Sequence, residues 1–97
     1  MPLKSDWCPA EPEHVEAHVP EKSGIYELRV ADETVYIGRT ETLQTTLLAH
    51  LEGQDIDQYR VKKAGYFRSQ QVMHRTHYDL FVDYNGHPPP WNDGRPS

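Results

Sequence analysis

The chain has 97 residues, a hydrophobic share of 36%, a mean hydropathy of -0.83 and a formal net charge of -5. That length holds one domain around one modest core. It contains no apolar run near the roughly 20 residues that span a bilayer and no basic-then-apolar N-terminal signal pattern, so a membrane partner is excluded and a soluble cytoplasmic protein is expected.

Residues 1–19 read as a Pro/Glu-rich leader, ahead of a domain over 20–92 and a tail over 93–97. Pro2, Pro9, Pro12 and Pro20 interrupt regular structure there, with room for one helical turn over Glu13–His18. Trp7 is placed to pin the leader onto the domain, since a tryptophan buries much apolar area in one contact. Cys8 is the only cysteine, which excludes an internal disulfide and a CxxC metal site. With no basic neighbour to lower its pKa, it is not a nucleophile. His14 and His18 have helical metal spacing but no third ligand nearby, and read as solvent-exposed.

From Gly24 to Gly38 the pattern is a β-hairpin. Gly24-Ile25-Tyr26-Glu27-Leu28-Arg29-Val30 and Val35-Tyr36-Ile37-Gly38 flank a polar turn, Ala31–Thr34. Alternation puts Tyr26, Leu28 and Val30 on one face and Ile25, Glu27 and Arg29 on the other. The glycine at each end permits a positive φ or a close backbone approach. Leu43, Leu47, Leu48 and Leu51 then form the apolar stripe of an amphipathic helix, with Thr40 or Thr42 as N-cap and Gly53 as its end. Glu41, Gln44, Thr45 and Glu52 are its solvated face. Residues 54–63 are polar and carry no clear element. Ala64–Arg68 reads as a third strand. Ser69 caps a second helix running to about Tyr84, with Val72, Met73, Thr76, Leu80, Phe81 and Tyr84 as its apolar positions. Gly86 and Pro88-Pro89-Pro90 stop it.

Charge is unevenly placed. Residues 1–58 hold 4 Lys/Arg and 12 Asp/Glu, and residues 59–97 hold 6 and 3. A phosphate-facing surface would therefore draw on the basic second half, although the overall acidity argues mildly against a general nucleic-acid binder.

Gly24-Ile25-Tyr26 followed after nine residues by Tyr36-Ile37-Gly38, on two predicted strands with a helix behind them, resembles the two-part signature of the GIY-YIG nuclease superfamily. The resemblance runs from about Pro20 to Asn92. It implies a small α/β (α+β) domain, with a mainly antiparallel three-stranded sheet flanked by helices, that cuts nucleic-acid phosphodiesters with a divalent metal, by family Mg2+. It implies a catalytic role for Tyr26 and Tyr36, one of them a base that needs help because a free phenol has a pKa of about 10. His50, fourteen residues after Tyr36, matches the family's helix histidine. Asn92, in Pro89-Pro90-Trp91-Asn92, matches its late asparagine, which orients the metal ligand or closes the site.

Two positions depart from the pattern. Thr46 stands where the family has an arginine, and threonine lacks the guanidinium fork that grips phosphate. Arg39 is the first substitute, with Arg68 and Arg75 behind it. His77 stands where the family has its metal-binding glutamate, ahead of Leu80-Phe81. Imidazole is a poor magnesium ligand but suits Mn2+ or Zn2+, with His74 on the same helical face and His50 as further ligands. The leading reading is an endonuclease-type phosphodiester hydrolase with weakened or altered cleavage, acting on DNA ahead of RNA. The alternative is an inactive GIY-YIG scaffold that binds nucleic acid or protein, including a second copy of itself. A third is a histidine-based metal site running other chemistry. No DNA-recognition domain accompanies the fold, so targeting would fall to a partner or a multimer.

Overall fold

The two β-rich runs pair as their alternation requires. In the computed structural model, which describes residues 7–63 and 70–92, β1 spans Cys8–Pro9, α1 Pro12–His18, β2 Gly24–Val30, β3 Glu33–Thr40, α2 Leu43–Gly53, β4 Gln58–Lys63 and α3 Gln70–Asn85. This is a small α+β fold. The strands form one antiparallel sheet in the order β1-β4-β2-β3, so the described residues hold four strands, where three were expected.

The extra strand comes from residues read as leader. Cys8 and Pro9 pair with Tyr59 and Gln58 at the sheet edge, where a proline is tolerated because it owes no outward N–H. Val15 of α1 is fully buried and Val19 nearly so. Residues 8–19 are therefore packed onto the sheet. Trp7 lies against the guanidinium groups of Arg60 and Arg29, 4.2 and 5.0 Å from the ring centroid. His14 is half-buried rather than exposed, because its Nδ1 meets the Tyr59 hydroxyl at 2.7 Å.

The third strand of the hairpin sheet, β4, falls in the stretch that showed no clear element. Gln58-Tyr59-Arg60-Val61 alternates, but polar residues occupy one of its faces, which hides the period. The strand expected over Ala64–Arg68 lies outside the described residues, as does the cap expected at Ser69.

The hairpin turn is tighter than its tetrapeptide suggested. Ala31 and Asp32 both have positive φ, 50° and 64°, the geometry of a two-residue type I′ connection. Asp57 holds it: its carboxylate accepts the Ala31 N–H at 2.7 Å, and its own N–H donates to Arg29 O.

Register defines two faces. Tyr26 and Leu28 stand with Gly38 and Tyr36 of β3 and with Val61 and Tyr59 of β4. This face carries the larger core, closed by Val15 and Val19 from the α1 side and Leu43 and Leu47 from α2. Each such buried aliphatic side chain contributes about 1.5–3 kcal/mol. Ile25 and Glu27 face the other way, with Ile37 and Arg60, under α3; there Ile25 packs on Met73.

Helix α2 runs as its leucines predict. Thr42 is its N-cap residue but makes no side-chain cap bond. The first-turn donors are met from the preceding loop instead: Lys22 O accepts from Leu43 N, and the Glu21 carboxylate accepts from the N–H and hydroxyl of Thr45. Those Thr45 bonds hold the Glu21 carboxyl below the usual range. Helix α3 is rotated from its expected stripe. His74, His77 and Tyr78 are buried with Met73 and Phe81, whereas Leu80 is 49% and Tyr84 84% exposed. The histidines turn inward because the backbone of β3 offers His74 a partner, described below. Among the described residues no helix is long and apolar enough to cross a membrane.

Candidate functional site

Gly38 explains the placing of the two signature tyrosines. It pairs with Tyr26 across the hairpin, and both rings lean over it. A Cβ there would lie 2.6 Å from Tyr36 Cε2 and collide with the Tyr26 ring. Neither signature glycine has a positive φ; the requirement is close approach. Gly24 is similar, since a Cβ would lie 2.9 Å from Leu43 Cδ1 and from Lys63 Cα.

His50, on the last turns of α2, completes the group. Its ring centroid is 5.4 Å from that of Tyr26 and 5.6 Å from that of Tyr36, and the tyrosines are 5.9 Å apart. Tyr26 Oη meets His50 Nε2 at 2.9 Å, and His50 Nδ1 meets Gln54 Oε1 at 2.7 Å. The amide oxygen only accepts, so Nδ1 carries the proton and the Tyr26 hydroxyl donates to Nε2. Gln54 thus orients the histidine. Nothing in the sequence flagged it, although its i+4 spacing on the helix was a usable signal. A shallow groove beside the group is lined by Thr45, Thr46, Ala49, His50, Gly53 and Gln54.

The electrostatics argue against Tyr26 as a base. It is only 3% exposed, and burial, with Tyr36 adding to it, pushes its pKa above the usual phenol value. At neutral pH it keeps its proton and serves as a donor.

The other expected residues fall in different places. Asn92 does not reach into the group. Its Oδ1 accepts the Ile37 N–H at 3.0 Å and its Nδ2 donates to Ile37 O at 2.9 Å, while Trp91 N donates to Val35 O. Trp91 and Asn92 therefore occupy the outer edge of β3 at Val35 and Ile37 as another strand would. His74 Nε2 donates to the same Ile37 carbonyl at 2.8 Å. Burial lowers its pKa, assisted by Arg39 and opposed by the Ile37 bond, so His74 is neutral at pH 7. His77 is buried on the same helix, 7% exposed. Thr46 at the family's arginine position bonds to the Thr40 hydroxyl at 2.7 Å. Arg39 is exposed and, one residue after Gly38, belongs to the opposite face of β3. Arg75 is half-buried, and Arg68 lies outside the described residues.

A divalent ion can be tested against this donor set. The tyrosine–histidine group and its groove contribute two phenols, an imidazole, hydroxyls and an amide, without a carboxylate. Magnesium needs hard anionic oxygen and does not fit. Among the described residues no group of three His, Cys, Asp or Glu is placed to hold a metal ion.

Exposed cations gather at one end of the sheet. Lys62 and Arg39 flank Ile25, Lys63 pairs with Gly24, and Lys22 precedes Gly24 by two residues. None of the four makes an ion pair among the described residues. Glu21 and Glu41 are at the same end, next to Lys22 and to Thr40, which pairs with Gly24, while Asp32, Glu33 and Asp57 lie at the other end, around the hairpin turn.

Comparison with curated proteins and with solved structures finds no match. A family described as a domain of unknown function (DUF7508) matches residues 1–79. The match covers β1 through most of α3, and the chain belongs to this DUF7508 family.

Proposed function

We propose that this domain is a GIY-YIG-like nucleic-acid-binding module in which efficient magnesium-dependent cleavage has been lost. The observation that carries the reading is the four exposed cations at the Gly24 end of the sheet, where Lys63 shares the tyrosine face through its pairing with Gly24 and Lys62 and Arg39 lie on the other face beside Ile25. Unpaired lysine and arginine side chains release counterions on contact with phosphates, which gives affinity without sequence preference. The loss of cleavage follows from the donor set. No guanidinium stands at Thr46, no carboxylate stands at His77, and the Tyr26 phenol holds its proton. Removing one positioned charge from such a centre costs on the order of 10²–10³ in rate, and two are missing.

The nuclease reading keeps one observation in its favour. The Tyr26–His50 bond of 2.9 Å is a ready path for a proton. One set of measurements separates the two. Fluorescence anisotropy with labelled single-stranded DNA, duplex DNA and RNA should show binding that falls steeply between about 50 and 200 mM salt. Reversing Lys62 and Lys63 to glutamate should abolish it. Incubation of the same DNA with magnesium, manganese or zinc should leave it intact. Turnover in magnesium that is lost in Tyr26→Phe would establish the nuclease instead. Turnover only in manganese or zinc, lost in His77→Ala, would establish a histidine-based metal site. Binding that ignores salt and the lysine reversals would remove the nucleic-acid reading.

A further inference from the structure

The face of the sheet turned away from the tyrosines holds a buried charge with unused bonding capacity. Glu27 sits between Tyr26 and Leu28 in the central strand and is fully buried. Its Oε1 accepts from Arg60 Nε at 2.9 Å, and Arg60 is itself 3% exposed. Its Oε2 is buried with no hydrogen-bond partner. Burial raises the Glu27 pKa against the pull of Arg60. Leaving such an oxygen unmet is costly, and most buried polar atoms in folded proteins are satisfied.

The Glu27 residue is part of the wall of a cavity. A space of about 270 Å³ lies between the hairpin end of the sheet and the last turns of α3. Trp7, Phe81 and Tyr84 supply aromatic wall, Glu27 and Arg60 the buried polar wall, and Arg29 a further cation. Tyr84 is 84% exposed at its rim. An apolar, largely aromatic cavity with a few convergent polar groups is the usual form of a small-molecule site. At about 270 Å³ this one lies just below the usual range of about 300–1,000 Å³, which restricts an occupant to about one ring system.

The walls also restrict its chemistry. The Glu27 oxygen calls for a donor. Arg60 already answers the Glu27 charge, so a neutral N–H is enough to meet the second oxygen and no ammonium is needed. The aromatic side chains favour a flat ring. We infer that this cavity is a binding pocket for a small amino-substituted heterocycle of nucleobase size, whose amino group donates to Glu27 Oε2 while its ring packs against Phe81 and Tyr84. The pocket is separate from the tyrosine group and stands or falls independently of the nucleic-acid reading.

The test uses the full chain and two nucleosides that differ in one amino group. Guanosine and inosine are titrated separately, following the Trp7 indole signal by NMR. Guanosine should shift that signal saturably, and inosine should bind about tenfold more weakly, the cost of leaving the Glu27 oxygen unmet. Adenosine and cytidine, which also carry an amino group, should outbind uridine. Tyr84→Ala, an exposed position outside the core, should weaken guanosine about fivefold through lost stacking. Glu27→Gln should erase the difference between guanosine and inosine, and Tyr26→Phe should leave it untouched. Equal affinities for guanosine and inosine, no Trp7 response to any amino nucleoside, or an unchanged guanosine titration in Tyr84→Ala would each overturn the inference. The first and third need no change to the buried pair, so a Glu27 variant that fails to fold does not shelter it.

Discussion

The two faces of one sheet solve the burial problem in opposite ways. Under α1 and α2 the face is aliphatic and aromatic, and its polar tips, Tyr26 Oη and Tyr59 Oη, each end on a histidine nitrogen. Under α3 the face is divided between an apolar patch around Ile25 and Met73 and a buried Glu27–Arg60 pair. The first face gains stability from area and tolerates little change in shape. The second spends part of its burial on charges whose desolvation offsets their attraction. A small domain has little stability to spare, so the balance within this one pair weighs on the whole fold.

The largest expected effect separates charge from shape on the α3 face. Arg60→Met should destabilise by about 3–5 kcal/mol, because it strands the Glu27 carboxylate. The double variant Glu27→Leu, Arg60→Met should recover most of that loss, as the face would then resemble the aliphatic one. Urea denaturation of the three proteins decides it. A double variant as unstable as the single one would mean that the pair is needed for folding.

On the tyrosine face the corresponding probe is Gly38→Ala. The added methyl meets both rings, and overpacking of this kind costs about 1–3 kcal/mol. The Tyr26–His50 bond should break with it, seen as a shifted His50 resonance. Full stability in this variant would show that the rings do not rest on Gly38.

Next in size is a pH effect at the edge where α3 meets β3. Burial lowers the His74 pKa from its ordinary 6.5. The unfolded chain therefore takes up a proton at a higher pH than the native one does. Stability from this group is complete above pH 6.5 and is lost as pH falls below it toward the native value. Stability profiles of wild type and His74→Gln should diverge at neutral pH and converge on acidification. Parallel profiles would mean that His74 is as free to protonate in the fold as in the unfolded chain.

The smallest effect concerns the turn, which both faces share. Asp32 has a φ of 64° and a side chain that is 92% exposed, with a 3.7 Å contact to Arg29. Glycine meets that backbone without strain, so Asp32→Gly should stabilise by a few tenths to about 1 kcal/mol. A loss of stability would mean that the Arg29 contact outweighs the strain.

Some of this protein was legible in the residues alone. The hairpin, the leucine helix, the end of α3 at Gly86 and the proximity of Tyr26 to Tyr36 all follow from local periodicity, turn chemistry and a spacing of a few residues. Such features are decided within one or two elements. His50 came by another route: the resemblance singled out a helix histidine fourteen residues after Tyr36, and periodicity alone gave no reason to place it beside the tyrosines.

What tertiary structure alone decided involves partners far apart in the chain. The fourth strand depends on Cys8 and Pro9 finding Tyr59 and Gln58, and no local pattern marks a two-residue strand. The inward turn of His74 depends on the Ile37 carbonyl, 37 residues away; a helix read by hydropathy alone places Leu80 and Tyr84 inside and the histidines out. Asn92 looked like a site residue and proved to be an edge seal, because an amide beside an edge strand meets its free N–H and C=O before anything else. Glu27 gave one faint signal, an acid within an apolar run, but whether such a residue faces water, a cation or a cavity is fixed only when Arg60, Trp7 and α3 close around it. Periodicity is a property of the chain, whereas burial of a charge depends on distant elements that pack together only in the folded domain.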